Sequence, residues 1–485
     1  MAVLSNCKPA DVFHYFEEIC KIPHGSYNEK ALSDYIHNWA ADLGLASIQD
    51  EFLNLIIKKP ATAGYENAPA VILQGHLDMV CEKNADVEFD FTKDPLDIYV
   101  DGDYIKARGT TLGADNGIAV AMAMAILADK NLAHPALEVV FTSVEEAGMD
   151  GAKGLDATYL AAKRLINLDS EDEGVFLSSC AGGATVTVSL DAEYEDLSAG
   201  DFVSYVLFVG GLWGGHSGMD IAKERGNSNR LLGRVLDGIK VAYHLTHIEG
   251  GSKDNAIPRE AKAVIWVGAA EAADLAAQVA EIGDVLDKEY EHSDPGLFVK
   301  LTQTDVSNKK IFTQTVKENA IKLLIAVPHG VDHMSAALPG LVETSSNLGV
   351  VKIADGTIVY TCSVRSSVES RKWALTRRIA VAAEALGAAC KISQGYPGWK
   401  YNPQSEIRNI FCDIYRQKYG KEAKILAIHA GLECGLFADK ILGLDIIAMG
   451  PDMYDVHTPE EKLSISSTAS CYEFLLDVLA GMNGG

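Results

Sequence analysis

Apolar and polar positions along this chain change their period several times, and the changes divide it. DVFHYFEEIC, from Asp11, carries apolar residues at helical spacing, with Pro9 just ahead as a start signal. LNLIIKK and AVILQGHLDMV then read as strands, GIAVAMAMAILADK as a helix apolar on every side and so buried, and LEVVFTSVEE and RLINLDS as strands again. From residue 401 onward the theme resumes, with IRNIFCDIYRQKYG as an amphipathic helix and LDIIAMGPD as a strand running into a loop. Alternation of this kind predicts an α/β layer built on a largely parallel sheet.

Between these parts the pattern differs. ATVTVSLDAEYE, FVSYVLFVGGLWGGHSGMD, AKAVIWVGAA and GTIVYTCSVRSS alternate as strands do, and SNRLLGRVLDGIKVAYH and AADLAAQVAEIGDVLDKEYEH between them read as helices. A strand–helix–strand theme repeats across the segment, and QGYPGWKYNP is a turn-rich return. The expected architecture is an α/β domain of residues 1–184 and 396–485, interrupted by an α+β domain of residues 185–395. A chain of 485 residues is long enough for two cores.

Composition narrows the class. Apolar residues at 48% and charged residues at 22% describe a folded globular protein. A formal charge of −25 repels a nucleic-acid backbone or an anionic membrane, so neither is expected as a partner. Solubility accounts for most of the acidic excess; bound cations could account for some. The nine cysteines are scattered with no C-x-x-C pair, which suits a reducing cytosol and not a disulfide framework or a thiolate zinc site. The opening MAVLSNCKPADVFHYFEEIC lacks a charged region followed by a continuous apolar core, so no signal peptide is expected. No segment reaches the roughly 20 apolar residues of a membrane span. The expected location is the cytoplasm.

Ionisable residues gather where the apolar runs of the α/β part end. His76 and Asp78 close one run, two positions apart and so on one face of a strand. Asp115 stands at the entry of the buried helix, Glu145 and Glu146 follow another strand, Asp169 ends a third, and His457 lies in a loop returning to the same domain. Taken singly, each has a plainer reading: a core histidine, a helix cap, solvated turn carboxylates, a histidine shaping a turn before Thr458-Pro459. Taken together they sit at similar places in their elements, outside the carboxyl ends of strands, where open α/β sheets collect ligands. Zinc takes imidazole nitrogen and carboxylate oxygen, and a metal pair needs a bridging carboxylate plus two further ligands each. His76 and Asp169 on one ion, Glu146 and His457 on the other, and Asp115 between them satisfy that count. Asp78 is left to orient the His76 imidazole, and Glu145 to take a proton from water.

GHLDMV, GTTLGADNGIA, FTSVEEAGMDGA, NLDSED, GGHSGMDI, DNAIPREA, HAGLECGLF and YDVHTPEE occur in this order along nearly the whole chain. The set resembles the di-zinc metallopeptidase family of carnosinases, aminoacylases and succinyl-diaminopimelate desuccinylase, and within it the bacterial aminoacyl-histidine dipeptidases. The resemblance implies a phosphorylase/hydrolase-like di-zinc catalytic domain interrupted by an α+β lid that also serves dimerisation, and the residue roles given above. It implies two Zn2+ per subunit, with Mn2+ or Co2+ as substitutes, a homodimer, and hydrolysis of unblocked dipeptides, carnosine-like Xaa-His among them. It further implies that His216 bonds the tetrahedral oxyanion, often from a partner's lid. Asn255 and Arg365 would hold the substrate's carbonyl and terminal carboxylate, and Glu433 would meet its amine. His429 is expected to be structural. A related amidohydrolase acting on acylated amino acids would keep every metal ligand and differ in the amine-side pocket.

Overall fold

Four of the apolar runs lie side by side as parallel strands: in spatial order, Leu137–Thr142, Val71–His76, Arg164–Asn167 and Asp445–Ala448. Leu55–Lys59 and Ala46–Gln49 extend the sheet antiparallel on one side, and Val175–Cys180 and Lys424–Ile428 complete its eight strands on the other. Val71–His76 and Leu137–Thr142 are buried at every position, as strands covered on both faces must be. Helix Ala114–Ala128 is buried along almost its whole length and packs on Val71–His76 and on helix Ala10–Cys20. That approach depends on Gly75, where a Cβ would fall 2.5 Å from Asn116 Oδ1 and 3.0 Å from Ala119 Cβ. A smaller sheet of Met453–Tyr454, Lys462–Ser464, Tyr104–Ala107 and Ile98–Asp101 holds both ends of the loop that contains His457.

The structure, a computed structural model, describes residues 2–393 and 395–483. Apart from the strand ends Cys180 and Ile428, these elements belong to one of two compact units, comprising Met1–Ser179, Trp399–Ala427 and Leu432–Gly485. The other comprises Cys180–Gly398 and Ile428–Gly431. Among the described residues no helix is long and apolar enough to cross a membrane.

The second unit is built on an antiparallel sheet of nine strands. Its order is Phe298–Thr304, Phe202–Gly210, Ala261–Gly268, Tyr243–Gly250, Val342–Ala354, Thr357–Ser366, Gly182–Asp191 and Ala389–Ile392, with Gly330–Met334 paired to Val342–Ala354. Side chains of helices Ser228–Gly238, Ala272–Glu289, Gln314–Ala326 and Glu369–Ala385 share one core with the inward residues of these strands, Val186, Val188 and Leu190 among them. One boundary differs from the sequence pattern. The helix expected over SNRLLGRVLDGIKVAYH stops at Gly238, and Tyr243–Gly250 is a strand. Ile239 is already extended, at φ −67 and ψ 126. A glycine followed by β-branched Ile239 and Val241 favours that exit.

Candidate metal centre

The parallel strands all point their carboxyl ends the same way, and the loops leaving them carry the ionisable residues. His76 is the last residue of its strand, Glu145 and Glu146 lie in the turn beyond Thr142, and Asp169 lies two residues past Asn167. Asp115 lies in the helix's first turn but at non-helical angles, φ −81 and ψ 101. His457 reaches the same place from the loop above the small sheet, with φ +64.

Asp115 is the centre of the group. Its Oδ1 lies 3.1 Å from His76 Nε2, and its Oδ2 lies 3.3 Å from His457 Nε2. Asp169 Oδ1 stands 3.6 Å from His76 Nε2, and Glu146 Oε1 stands 2.9 Å from His457 Nε2. One carboxylate thus faces two imidazoles, one oxygen to each, and every imidazole has a second carboxylate. Ligand atoms of His76, Asp115 and Glu146 all fall within 4.8 Å of one another.

Asp78 ties the site to its frame. Its Oδ1 accepts the Glu145 amide at 2.9 Å, and its Oδ2 accepts the Glu146 amide at 3.1 Å and the Ser26 hydroxyl at 2.8 Å. The same carboxylate lies 3.4 Å from His76 Nδ1, whose shorter contact, 3.0 Å, is to the Asp78 carbonyl oxygen. The Glu145 carboxylate takes no hydrogen bond among the described residues. Asn116 links two ligands, since its Oδ1 accepts the His76 amide and its Nδ2 donates to Asp169 Oδ1.

The electrostatics follow from carboxylates crowded around two imidazoles. Burial alone would lower His76, but Asp169, Asp115 and Asp78 outweigh it and hold the imidazole well above its ordinary value. Bonds to Asp115 and Glu146 push His457 up to about 11. Burial would raise Asp115, yet the two imidazoles keep it well below the usual carboxylate range. Desolvation pushes Glu145 well above that range, with Asp169, Glu433 and Glu146 adding. The carboxylates therefore favour positive charge between them. Two imidazoles and three carboxylates are also the donors that zinc, manganese and cobalt accept. The residues fit a metal pair.

Glu433 is fully buried. Its Oε2 accepts Gln74 Nε2 at 2.5 Å and the Thr142 hydroxyl at 2.6 Å, while its Oε1 has no partner among the described residues. Burial pushes it up to about 8. Gln74 in turn accepts Asn167 Nδ2 at 2.6 Å, so a polar row crosses three neighbouring strands beneath the ligands.

In the second unit, three of the expected residues meet around Ser217. The Ser217 amide donates to the Asn255 carbonyl at 2.8 Å, and Arg365 Nε donates to its hydroxyl at 3.5 Å. His216 Nδ1 accepts the amides of Gly218 and Met219, which leaves Nε2 as the donor. Burial and then Arg365 lower the His216 imidazole. Arg365 is only 8% exposed and bonds the Tyr396 hydroxyl at 3.1 Å, but pairs with no carboxylate among the described residues.

His429 is buried with its Nε2 2.7 Å from the Ser345 hydroxyl, and burial, followed by Arg365 and His216, pushes it down to about 3. An unfolded histidine titrates near 6.5, so below that pH the unfolded chain gains a proton that the folded chain refuses. Stability conferred by neutral His429 is present in full above about pH 6.5 and falls as pH drops toward 3. The loss from this residue between pH 7 and pH 5 is about 2 kcal/mol. Urea titrations of wild type and His429→Gln at both pH values measure it: the wild type loses more by that amount. Equal losses would mean that folded His429 takes up the proton.

Residues 72–481 match the model of peptidase family M20/M25/M40. The chain is 41% identical over 481 residues, covering 99% of both chains, to the cytosol non-specific dipeptidase of Escherichia coli. It superposes on the aminoacylhistidine dipeptidase of Vibrio alginolyticus with a TM-score of 0.92 at 39% identity, over 98% of this chain and 97% of that one. A tripeptidase of Staphylococcus aureus shares the fold at 15% identity, with a TM-score of 0.57 over 99% of this chain and all of the other.

Proposed function

The chain belongs to peptidase family M20/M25/M40, and on that premise we propose that it is a metal-dependent dipeptidase acting on unblocked dipeptides, Xaa-His and carnosine-like ones among them. One observation carries the reading: Asp115 lies between two imidazoles with one oxygen toward each, and a flanking carboxylate completes either side. His76 and Asp169 would hold one metal, Glu146 and His457 the other, and Asp115 would bridge. Zinc is the metal proposed, with manganese or cobalt able to replace it. Bound there, such metals would supply Lewis acidity toward the scissile carbonyl and toward water at neutral pH.

The chain's own residues do the rest. Glu145, whose carboxylate takes no hydrogen bond among the described residues, takes the water proton and returns it to the leaving amine nitrogen. Asp78 fixes the backbone of Glu145 and Glu146 through one carboxylate, so base and ligand keep a constant separation. In the second unit, His216 Nε2 donates to the tetrahedral oxyanion, Asn255 meets the substrate's carbonyl, and Arg365 meets its terminal carboxylate. Glu433 is the candidate for the substrate amine. A cytoplasmic homodimer is the proposed form, in keeping with the cytosolic Escherichia coli relative.

A panel of dipeptides tests both the reaction and Arg365. The metal-loaded enzyme is expected to prefer free dipeptides over N-acetylated ones; the reverse preference would make it a deacylase of acylated amino acids. Losing a buried charge-assisted contact costs about 2–5 kcal/mol. Arg365→Ala should lower kcat/KM accordingly on Xaa-His with a free carboxylate, and far less on the amidated form. An equal loss on both would remove Arg365 from carboxylate recognition.

A further inference from the structure

The turn that carries Asp115 is held by a side chain with no part in the reaction above. Glu461 is 3% exposed and stands four residues beyond His457. Its Oε2 accepts the backbone amides of Leu112 and Gly113 at 2.8 and 3.2 Å, and its Oε1 accepts those of Ala114 and Asp115 at 2.8 and 3.4 Å. Four successive N–H groups thus converge on one carboxylate. Gly113 makes the turn possible: its φ is +68, and a Cβ there would lie 2.8 Å from Met79 Sδ.

Helix starts leave amides without partners, and a neighbouring Ser, Thr, Asp or Asn is the usual remedy. No side chain at the N-cap, Gly113, serves the helix Ala114–Ala128. The acceptor comes instead from the far end of the chain, and the amides it gathers include that of Asp115 itself. The residue after Glu461 begins the strand Lys462–Ser464, so the side chain is anchored to the same sheet that carries the His457 loop. One buried side chain therefore joins the Asp115 turn to the strand that closes the His457 loop, and the facing atoms of turn and loop are 3.3 Å apart. Two carboxylate oxygens offer four lone-pair directions, and four donors fill them. A carboxamide in the same place would turn an N–H2 group toward backbone N–H groups.

We infer that Glu461 is a positioning residue of the metal centre, registering the Asp115 turn against His457 so that one carboxylate reaches both metal positions. The inference rests on the metal-centre reading above. Glu461→Gln keeps the size and loses acceptors; Glu461→Asp keeps the charge and draws it back by one methylene. Exposed Glu460, changed to Gln, is the control. Each protein is stripped with a chelator, checked for folding by circular dichroism and thermal denaturation, and titrated with Zn2+ alone against a chromogenic chelator. Both Glu461 variants are expected to fold without metal, to bind the second zinc about 10–100-fold more weakly, and to lose kcat at saturating zinc with KM little changed. If Gln does not fold, Asp gives the same readout.

Wild-type zinc affinity in a folded variant of lower Tm would overturn the inference and leave Glu461 a strut. Failure of both variants to fold would also overturn it, by placing the residue in folding and not in positioning. If wild type and the Glu460 control took up no zinc, the metal-centre reading itself would fall.

Discussion

Replacing Glu145 by alanine leaves a folded chain that still takes up its metals and turns over almost no dipeptide. The side chain is no ligand in the proposed arrangement, and its carboxylate holds nothing else in place. The contact that fixes the turn runs from the Glu145 backbone amide to Asp78, and truncation of the side chain spares it. What disappears is the proton acceptor, and general-base catalysis contributes about 10²–10⁴-fold in rate. The measurement is kcat with zinc content by elemental analysis on the same sample. A drop in kcat of that size at unchanged metal content meets the expectation. Substantial turnover under saturating zinc would remove Glu145 from proton transfer.

Asp115→Ala gives the opposite pattern: metal is lost first and activity with it. Asp115 faces both imidazoles, so in the proposed arrangement its removal would deprive both metals of a shared ligand and leave His76 and His457 facing across a gap. Changing even an outer partner of a ligand costs about 10–100-fold in metal affinity, and loss of a bridging ligand exceeds that. Asp115→Asn separates the two positions, because an amide keeps one acceptor oxygen and turns a donor toward the other side. It should retain about one metal per chain, against close to none for alanine. Two tightly held metals in Asp115→Ala would rule out a bridging role.

The members of this centre differ in how openly the sequence displays them. His76, Glu146 and Asp169 follow apolar runs that announce strands by local pattern alone, and the carboxyl ends of parallel strands converge by geometry. His457 needed the return of the α/β pattern after the middle segment. Glu461 carries no such signal. As the second residue of an EE pair it looks solvated, and its importance lies in a turn with a left-handed glycine far upstream. The same holds for Asn116 and Gln74, whose partners are defined only when strands and helix are in register. Periodicity reports which face is buried; it does not report which amide a buried carboxylate will meet. The end of the helix at Gly238 shows a further limit, since apolar spacing continued past it while β-branched residues turned the chain into a strand.

The split of the first unit across the chain has a consequence for the protein's birth on the ribosome. His76, Asp115, Glu146 and Asp169 are all made early, whereas His457 and Glu461 are made only after the entire second unit. Between Asp169 and His457 the ribosome adds about 290 residues, which at about 5–20 residues per second takes roughly a quarter of a minute to a minute. Throughout that interval the nascent chain carries a carboxylate-rich half-site whose last imidazole does not yet exist. Completion of the centre therefore waits for translation of the His457 loop, and a chain released before that loop is made would lack one of the two imidazoles and the clamp on the Asp115 turn.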